Sequence, residues 1–194
     1  MPKVVDHDER REDVAEAAWR VIGRDGLEGA TLREISREAG FTTGVIQHYF
    51  RDRDELLAFV ARQISEQAFD RMTSALETCS PGKACLRQLL EVLVPLDLRT
   101  ARVSALMSFW ARSAIDPVHN AIQARQYETI RRAFRGQVAA AMEKGEISPD
   151  RDADDVADHL LAFGDGLCVR SGMEPDRFPE QRRSAMLHAA LKNL

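Results

Sequence analysis

The stretch Thr31–Phe50, TLREISREAGFTTGVIQHYF, decides the fold. Two runs of helical spacing flank Gly40-Phe41-Thr42. The first opens on Thr31 with Glu34 three residues on, the pattern in which a hydroxyl and a carboxylate satisfy a helix's first free N–H groups. Leu32, Ile35 and Ala39 face inward, and Gly40 provides the stop. The second run starts from Thr42 as its cap and lasts only about two turns, with Ile46 and Phe50 inward. So short a helix is marginal by itself, because nucleation costs more than two turns return. Neighbouring helices must hold it, and its outer residues are free to serve something other than stability.

Outward from this pair the chain reads as helix after helix. Val14, Ala17, Ala18, Val21 and Ile22 form an apolar stripe from about Glu9 to Arg24, ended by Asp25-Gly26. Asp52 and Glu55 repeat the capping pattern before a long helix to about Glu77, with Leu56, Val60, Ile64, Ala68, Met72 and Ala75 inward. Ser80-Pro81 reads as a cap with proline in the first turn, opening a helix that stops near Pro95. Further helices span about Thr100–Ala114 (Val103, Leu106, Met107 and Trp110 inward), Asp116-Pro117 to Lys144, the acidic cluster at Asp150–Asp155 to Gly172, and Pro179 onward. The expected fold class is all-α, with about nine helices. A three-helix head at 1–52 precedes a larger helical bundle at 53–194.

Composition narrows the function. The 194 residues carry a net charge of −4, mixed charge and ordinary apolar content, typical of a globular protein. No run approaches the ~18 apolar residues of a membrane span. The N-terminus lacks a secretory pattern, so a cytoplasmic location is expected. Cys79, Cys85 and Cys168 lack metal-ligand spacing and are expected as reduced thiols. No nucleophile turn, phosphate loop or metal-binding helix motif occurs, so neither an enzyme nor a cofactor or metal is expected.

The pair Thr31–Ala39 and Thr42–Tyr49 fits a helix-turn-helix, whose second helix enters the DNA major groove. Thr43, Gly44, Gln47 and His48 are left to point outward. The same residues resemble the N-terminal signature of the TetR (tetracycline-repressor-like) family of bacterial regulators: Thr31, Ile35, Gly40, Gly44, His48-Tyr49-Phe50, Arg53 and Leu56 match it. The resemblance covers about the first quarter of the chain. It implies that Arg33 reaches a base or phosphate, and that Thr31, Thr42 and Thr43 lie near backbone phosphates. It further implies that Gly44 allows close approach, Val45 touches a thymine methyl, Gln47 pairs with adenine, and His48, Tyr49 and Arg53 hold phosphates. Many relatives carry lysine in place of Thr43 and an aromatic in place of Gln47, so fewer phosphate contacts and a different base preference are expected here. From Thr31 to Glu55 four arginines face five carboxylates, a net −1, so non-specific affinity for DNA should be low.

In the body, Val156, Leu160, Phe163 and Leu167 form a seam with a small-residue window at Gly164 and Gly166. Met186, Ala189 and Ala190 continue it on the last helix. Leu161, Cys168, Val169 and Leu187 widen the apolar surface beyond one face, as burial by a second subunit would require. The resemblance implies a four-helix homodimer interface and hence a roughly palindromic operator. Phe69, Met72, Met107, Trp110, Gln123 and Tyr127 are the candidate lining of a pocket for a small-molecule effector. By resemblance the chain is expected to be a ligand-responsive transcriptional regulator, a repressor released when its effector binds. A helical adaptor for protein partners is the alternative from another class, and an enzyme without a recognisable motif a weaker one.

Overall fold

The computed structural model describes residues 7–94 and 101–194, without the side chains of 64, 65, 68, 101–105 and 118. The expected inward positions Ile64, Ala68 and Val103 and the stop at Pro95 lie outside that description. The described residues form nine helices and no strand: α1 (His7–Gly29), α2 (Leu32–Ala39), α3 (Thr43–Tyr49), α4 (Arg53–Thr78), α5 (Lys83–Leu93), α6 (Ala101–Ser113), α7 (Pro117–Glu143), α8 (Ala153–Met173) and α9 (Glu180–Lys192). The expected break at Gly26 is present as a positive φ of 73°, but the helix resumes beyond it to Gly29.

Two compact units result, one of Met1–Glu66 with Arg99–Ile115, the other of Gln67–Leu98 with Asp116–Leu194. In the first, α1 packs on α2, α3 and α6. Its core gathers Val14, Ala18, Ile22, Ile35, Ile46, Phe50, Leu56, Val60 and Phe109. In the second, α5 packs against α7, α8 and α9. Leu86, Leu89, Leu90, Phe134, Val138, Leu160 and Leu187 fill that core.

Local chemistry explains most boundaries. Thr31 Oγ1 accepts the Glu34 N–H at 3.2 Å, the forward half of the expected reciprocal cap. The return half is absent: the Glu34 carboxylate pairs with Arg37, and the Thr31 N–H donates to the Gly29 carbonyl at 2.8 Å. Gly40 ends α2 in the left-handed region (φ 71°, ψ 24°), a conformation in which a side chain is strained. Before α4, Asp52 Oδ1 accepts the Glu55 N–H at 2.8 Å, and Glu55 Oε2 accepts the Arg51 N–H at 2.9 Å. The Glu55 N–H bond, with the Arg51 guanidinium alongside, holds the Asp52 carboxyl below the usual range. Asp152 caps α8 by accepting from the N–H groups of Asp154 and Asp155.

The junction of α4 and α5 corrects two expectations. Ser80-Pro81 does not open a helix; residues 80–82 are a turn, and α5 begins at Lys83 with Gly82 before it at φ 102°. Cys79 and Cys85 are not separate thiols but are joined in a disulfide, with Cα atoms 5.0 Å apart. Cys168 is free and buried, as expected of it.

Candidate nucleic-acid interface

The seven residues of α3 are secured from beneath. Ile46 and Phe50 are wholly buried, each contributing about 2–3 kcal/mol of apolar burial. Thr42 Oγ1 accepts the Val45 N–H at 3.3 Å and fixes the start of the helix. Ser36, buried on α2, donates to the Leu32 carbonyl at 2.6 Å and lies 3.4 Å from Thr43 Oγ1, which ties the two helices at the turn. The guanidinium of Arg11 on α1 lies over Phe50 at 4.5 Å and Phe59 at 4.7 Å and donates to the Tyr49 carbonyl at 3.3 Å. Sequence reasoning missed both supports. The signal for Ser36 was a hydroxyl in the middle of a helix, where it satisfies its own backbone rather than water.

The opposite surface of α3 is open. Thr42, Gly44, Val45, Gln47 and His48 are exposed, Thr43 and Tyr49 half-buried. Val45, 38% exposed on a helix start, presents a branched apolar tip to solvent without a core to enter. His48, Tyr49 and His7 of α1 form an aromatic group, with His7 and Tyr49 ring centres 4.8 Å apart. On α2, Thr31 and Arg33 are exposed, and among the described residues Arg33 has no ion-pair or hydrogen-bond partner.

The other arginines of the head are engaged. Arg53 Nε donates to the Ala30 carbonyl at 2.8 Å and Nη2 to that of Leu27, so this side chain fastens the start of α4 to the loop before α2. Arg51 pairs with Asp52 at 3.1 Å, and Arg37 with Glu34. Arg20 and Arg24 both bind Glu38, at 2.8 and 3.1 Å, and these bonds hold its carboxyl below the usual range. Among the described residues the face therefore carries one free guanidinium amid neutralised charge. Such a surface suits reading base edges more than wrapping phosphate.

The candidate pocket residues fall into the two units. Met107 and Trp110 sit on α6 in the first, both half-buried. In the second, Phe69 is 51% exposed, Met72 is core, and Gln123 and Tyr127 are half-buried. Tyr127 stands out: its hydroxyl donates to Asp165 Oδ2 at 2.8 Å. Burial pushes the Asp165 carboxyl above its usual range, opposed by the Tyr127 bond; burial and the Asp165 charge push the Tyr127 phenol up. Asp165 was not anticipated. It lies 38 residues from Tyr127, and no sequence pattern joins the two.

The α8–α9 seam divides in two. Leu160, Gly164 and Leu167 are sealed in the chain's own core, with Leu90 Cδ2 3.5 Å from where a side chain at Gly164 would begin. Phe163, Met186, Ala189 and Ala190, with Val156 of the core, line a groove of about 660 Å³ that Arg151, Asp152, Asp155 and His159 also line. Among the described residues no group of histidine, cysteine and acidic side chains is placed to hold a metal. No described helix is long and apolar enough to cross a membrane.

Comparison with known proteins meets this geometry at both ends of the chain. Residues 14–60 match the family described as "Bacterial regulatory proteins, tetR family", and residues 82–194 match "BetI-type transcriptional repressor, C-terminal". The chain is 35% identical over 184 residues to the HTH-type transcriptional regulator PksA of Bacillus subtilis (strain 168), covering 94% of this chain and 88% of that one. It is 31% identical over 178 residues to the HTH-type transcriptional regulator BetI of Escherichia coli O45:K1, covering 89% and 87%. Among solved structures, a transcriptional regulator from Rhodococcus sp. Rha1 superposes with a TM-score of 0.80 at 27% identity, over 93% of each chain. One from Saccharomonospora viridis, in complex with choline, superposes at 0.84 and 24% identity over 94% and 95%, and shows the likeness of fold.

Proposed function

Since the chain belongs to the TetR family of bacterial transcriptional regulators, we propose that it is a cytoplasmic homodimer that represses transcription at a palindromic operator and lets go when a small molecule binds. The observation that carries this reading is the two-sidedness of α3: Ile46 wholly buried beneath, and Gly44, Val45, Gln47 and His48 exposed above. Gln47 pairs with an adenine edge, Val45 meets a thymine methyl, and Arg33 reaches a guanine or the adjoining backbone. Thr31, Thr42, Thr43, His48 and Tyr49 position the head on phosphates, with Gly44 allowing close approach. The role carried to Arg53 is supported least, because its Nε and Nη2 are bound to backbone carbonyls. Residues 1–52 act as the reading head, and 53–194 as the effector and dimer body.

The groove lined by Val156, Phe163, Met186, Ala189 and Ala190 is the contact we assign to the second subunit. Its lining of apolar and charged side chains suits a self-complementary interface. Within the body we place the effector at Tyr127 and Asp165, with Gln123, Met72 and Phe69 from the same unit. A carboxylate that burial disfavours gains most from a ligand bearing positive charge. The choline seen in the Saccharomonospora viridis neighbour is such a cation. Effector binding shifts the dimer toward a head spacing that no longer fits the half-sites, which requires the effector to favour one of two arrangements.

Arg33→Ala combined with Gln47→Ala tests the first claim by gel shift. Loss of DNA binding with unchanged thermal stability supports a reading head; unchanged binding refutes it and favours the adaptor. Choline chloride, with Asp165→Asn as control, tests the second. A rise in melting temperature in the parent alone is expected, and no rise in either removes a small quaternary cation from the site.

A further inference from the structure

The α4–α5 turn holds two sulfurs together for a reason the DNA reading does not use. Three bonds from the far end of α7 and the loop after it clamp this turn. The Pro81 carbonyl accepts from Lys144 Nζ at 2.6 Å, the Gly82 N–H donates to Gln137 Oε1 at 3.1 Å, and the Lys83 N–H donates to Glu146 Oε2 at 2.8 Å. Gly82 adopts φ 102°, and a Cβ there would lie 2.5 Å from Glu146 Oε2, so the sharp turn needs glycine. These contacts hold the turn that lies between Cys79 and Cys85 and involve neither sulfur. The Cα atoms of the two cysteines stand 5.0 Å apart, within the range that a disulfide spans. Reduced, the two thiols would therefore remain neighbours and ready to close again.

Compartment and access give the pair its meaning. A regulator of chromosomal genes works in a reducing cytoplasm, where a disulfide persists only transiently and marks redox sensing or catalysis. Cys79 is half-buried and reachable from solvent, whereas Cys85 is wholly buried. That is an attacking thiol beside a resolving one. Cys168 provides the contrast: it is buried without a partner thiol, and burial pushes it up to about 11, so it stays protonated and unreactive at neutral pH.

We propose that Cys79 and Cys85 are a reversible oxidation site for hydroperoxides, whose closure changes operator affinity by stapling the C-terminal end of α4 to α5. The Cys79 thiolate attacks the peroxide, breaking O–O, and leaves a sulfenic acid and an alcohol, or water when the oxidant is hydrogen peroxide. The Cys85 sulfur then attacks Cys79 Sγ, breaking S–O, and the sulfenic hydroxyl departs as water with the proton of the Cys85 thiol. Two thiols are oxidised by two electrons and one peroxide is reduced. An exogenous dithiol reverses the step by exchange. α4 begins at Arg53, immediately after the reading head, and ends at Thr78 beside the bond. Restraint at its last turn therefore acts on the helix that leads out of the head. The regulatory half of this proposal rests on the DNA-binding reading above; the oxidation site does not.

The test uses the full chain, reduced with dithiothreitol and desalted, then divided and treated or not with hydrogen peroxide. Free thiols are counted by N-ethylmaleimide labelling and intact mass, and affinity is measured by anisotropy on the palindrome selected by the reduced protein. The treated protein should label at one of its three cysteines, yield a linked peptide pair containing Cys79 and Cys85, and recover three labels with dithiothreitol. Operator affinity should differ between the two forms by about fivefold or more, the low end of ordinary coupling between sites. Cys79→Ser, at the half-buried position, should hold the same affinity with and without peroxide, and Cys85→Ala should repeat that result. Three labels after treatment overturn the oxidation site. A disulfide that forms without changing affinity overturns the switch. A reduced protein that binds no duplex refutes the regulator reading and the switch with it, while the thiol count still decides the chemistry separately.

Discussion

Raising KCl from 50 to 200 mM should weaken operator binding by about 10-fold to 10³-fold, less than a densely basic head would lose. The size follows from the arginines of the head. Each neutralised phosphate contributes about −0.9 to the slope of log affinity against log salt. Among the described residues Arg33 is the unpartnered guanidinium on the reading surface, and a dimer supplies two, for a slope of about −2. Arg37 and Arg51 are exposed but paired with Glu34 and Asp52. Surface pairs of this kind contribute at most about 1 kcal/mol, so phosphate can compete for them. If all four in the dimer exchange partners, six contacts bring the slope to about −5. Fourfold more salt then costs between about 10-fold and 10³-fold in affinity. Fluorescence anisotropy on a labelled operator at five salt concentrations measures the slope, and Arg33→Ala should make it shallower by about 2. A slope near −10 in the parent, or one that Arg33→Ala leaves alone, would refute this reading of the surface.

Gln47→Ala should weaken binding to the selected operator about 30-fold or more, since two half-sites each lose about 1 kcal/mol or more of base discrimination. Random-sequence DNA should bind as before, and anisotropy on both duplexes separates the outcomes. Ile46→Ala empties a fully buried site and should cost about 2–5 kcal/mol in the head, read by urea denaturation together with loss of DNA binding. Asp165→Asn should melt a few degrees above the parent at pH 7. Burial raises the Asp165 carboxyl when folded, so stability from this group is full at low pH and is lost as pH rises through the raised value. The difference should close near pH 4, and a gap that widens toward acid would reverse the assignment. Phe163→Asp should convert the dimer to monomer in sedimentation velocity while the helical circular dichroism is retained, because it sets a charge in the apolar groove.

Helix starts and stops were legible because their chemistry is local. Thr31, Gly40, Thr42, Asp52 and Asp152 act within four residues of themselves, and their hydroxyls, carboxylates and bare Cα can be read directly. Ser80-Pro81 misled because a cap-then-proline pair also fits a plain turn, and what made it a turn is a set of bonds from residues 137–146. The cysteine pairing was hidden by the same error, since a helix starting at Pro81 leaves no bend to bring residue 85 back. The bonds that occupy Arg53 were not legible because its partners, the Ala30 and Leu27 carbonyls, lie 23 and 26 residues away. Helical spacing marked the α8 seam as apolar but does not say which side the chain covers itself. Leu160, Gly164 and Leu167 turn inward, and Phe163 turns to the groove. The outward face of α3 was readable for the opposite reason: with Ile46 and Phe50 fixed inward, 3.6 residues per turn leave Gly44, Gln47 and His48 no other side, whereas Thr43, expected beside them, is half-buried next to Ser36.

Selection of random duplexes by the purified, effector-free protein tests the central claim most directly. Enrichment of one inverted repeat is expected, with half-sites that place an adenine where Gln47 reaches, and loss of that enrichment in the Gln47→Ala protein. A pool that remains random after repeated rounds, from folded protein, would contradict it.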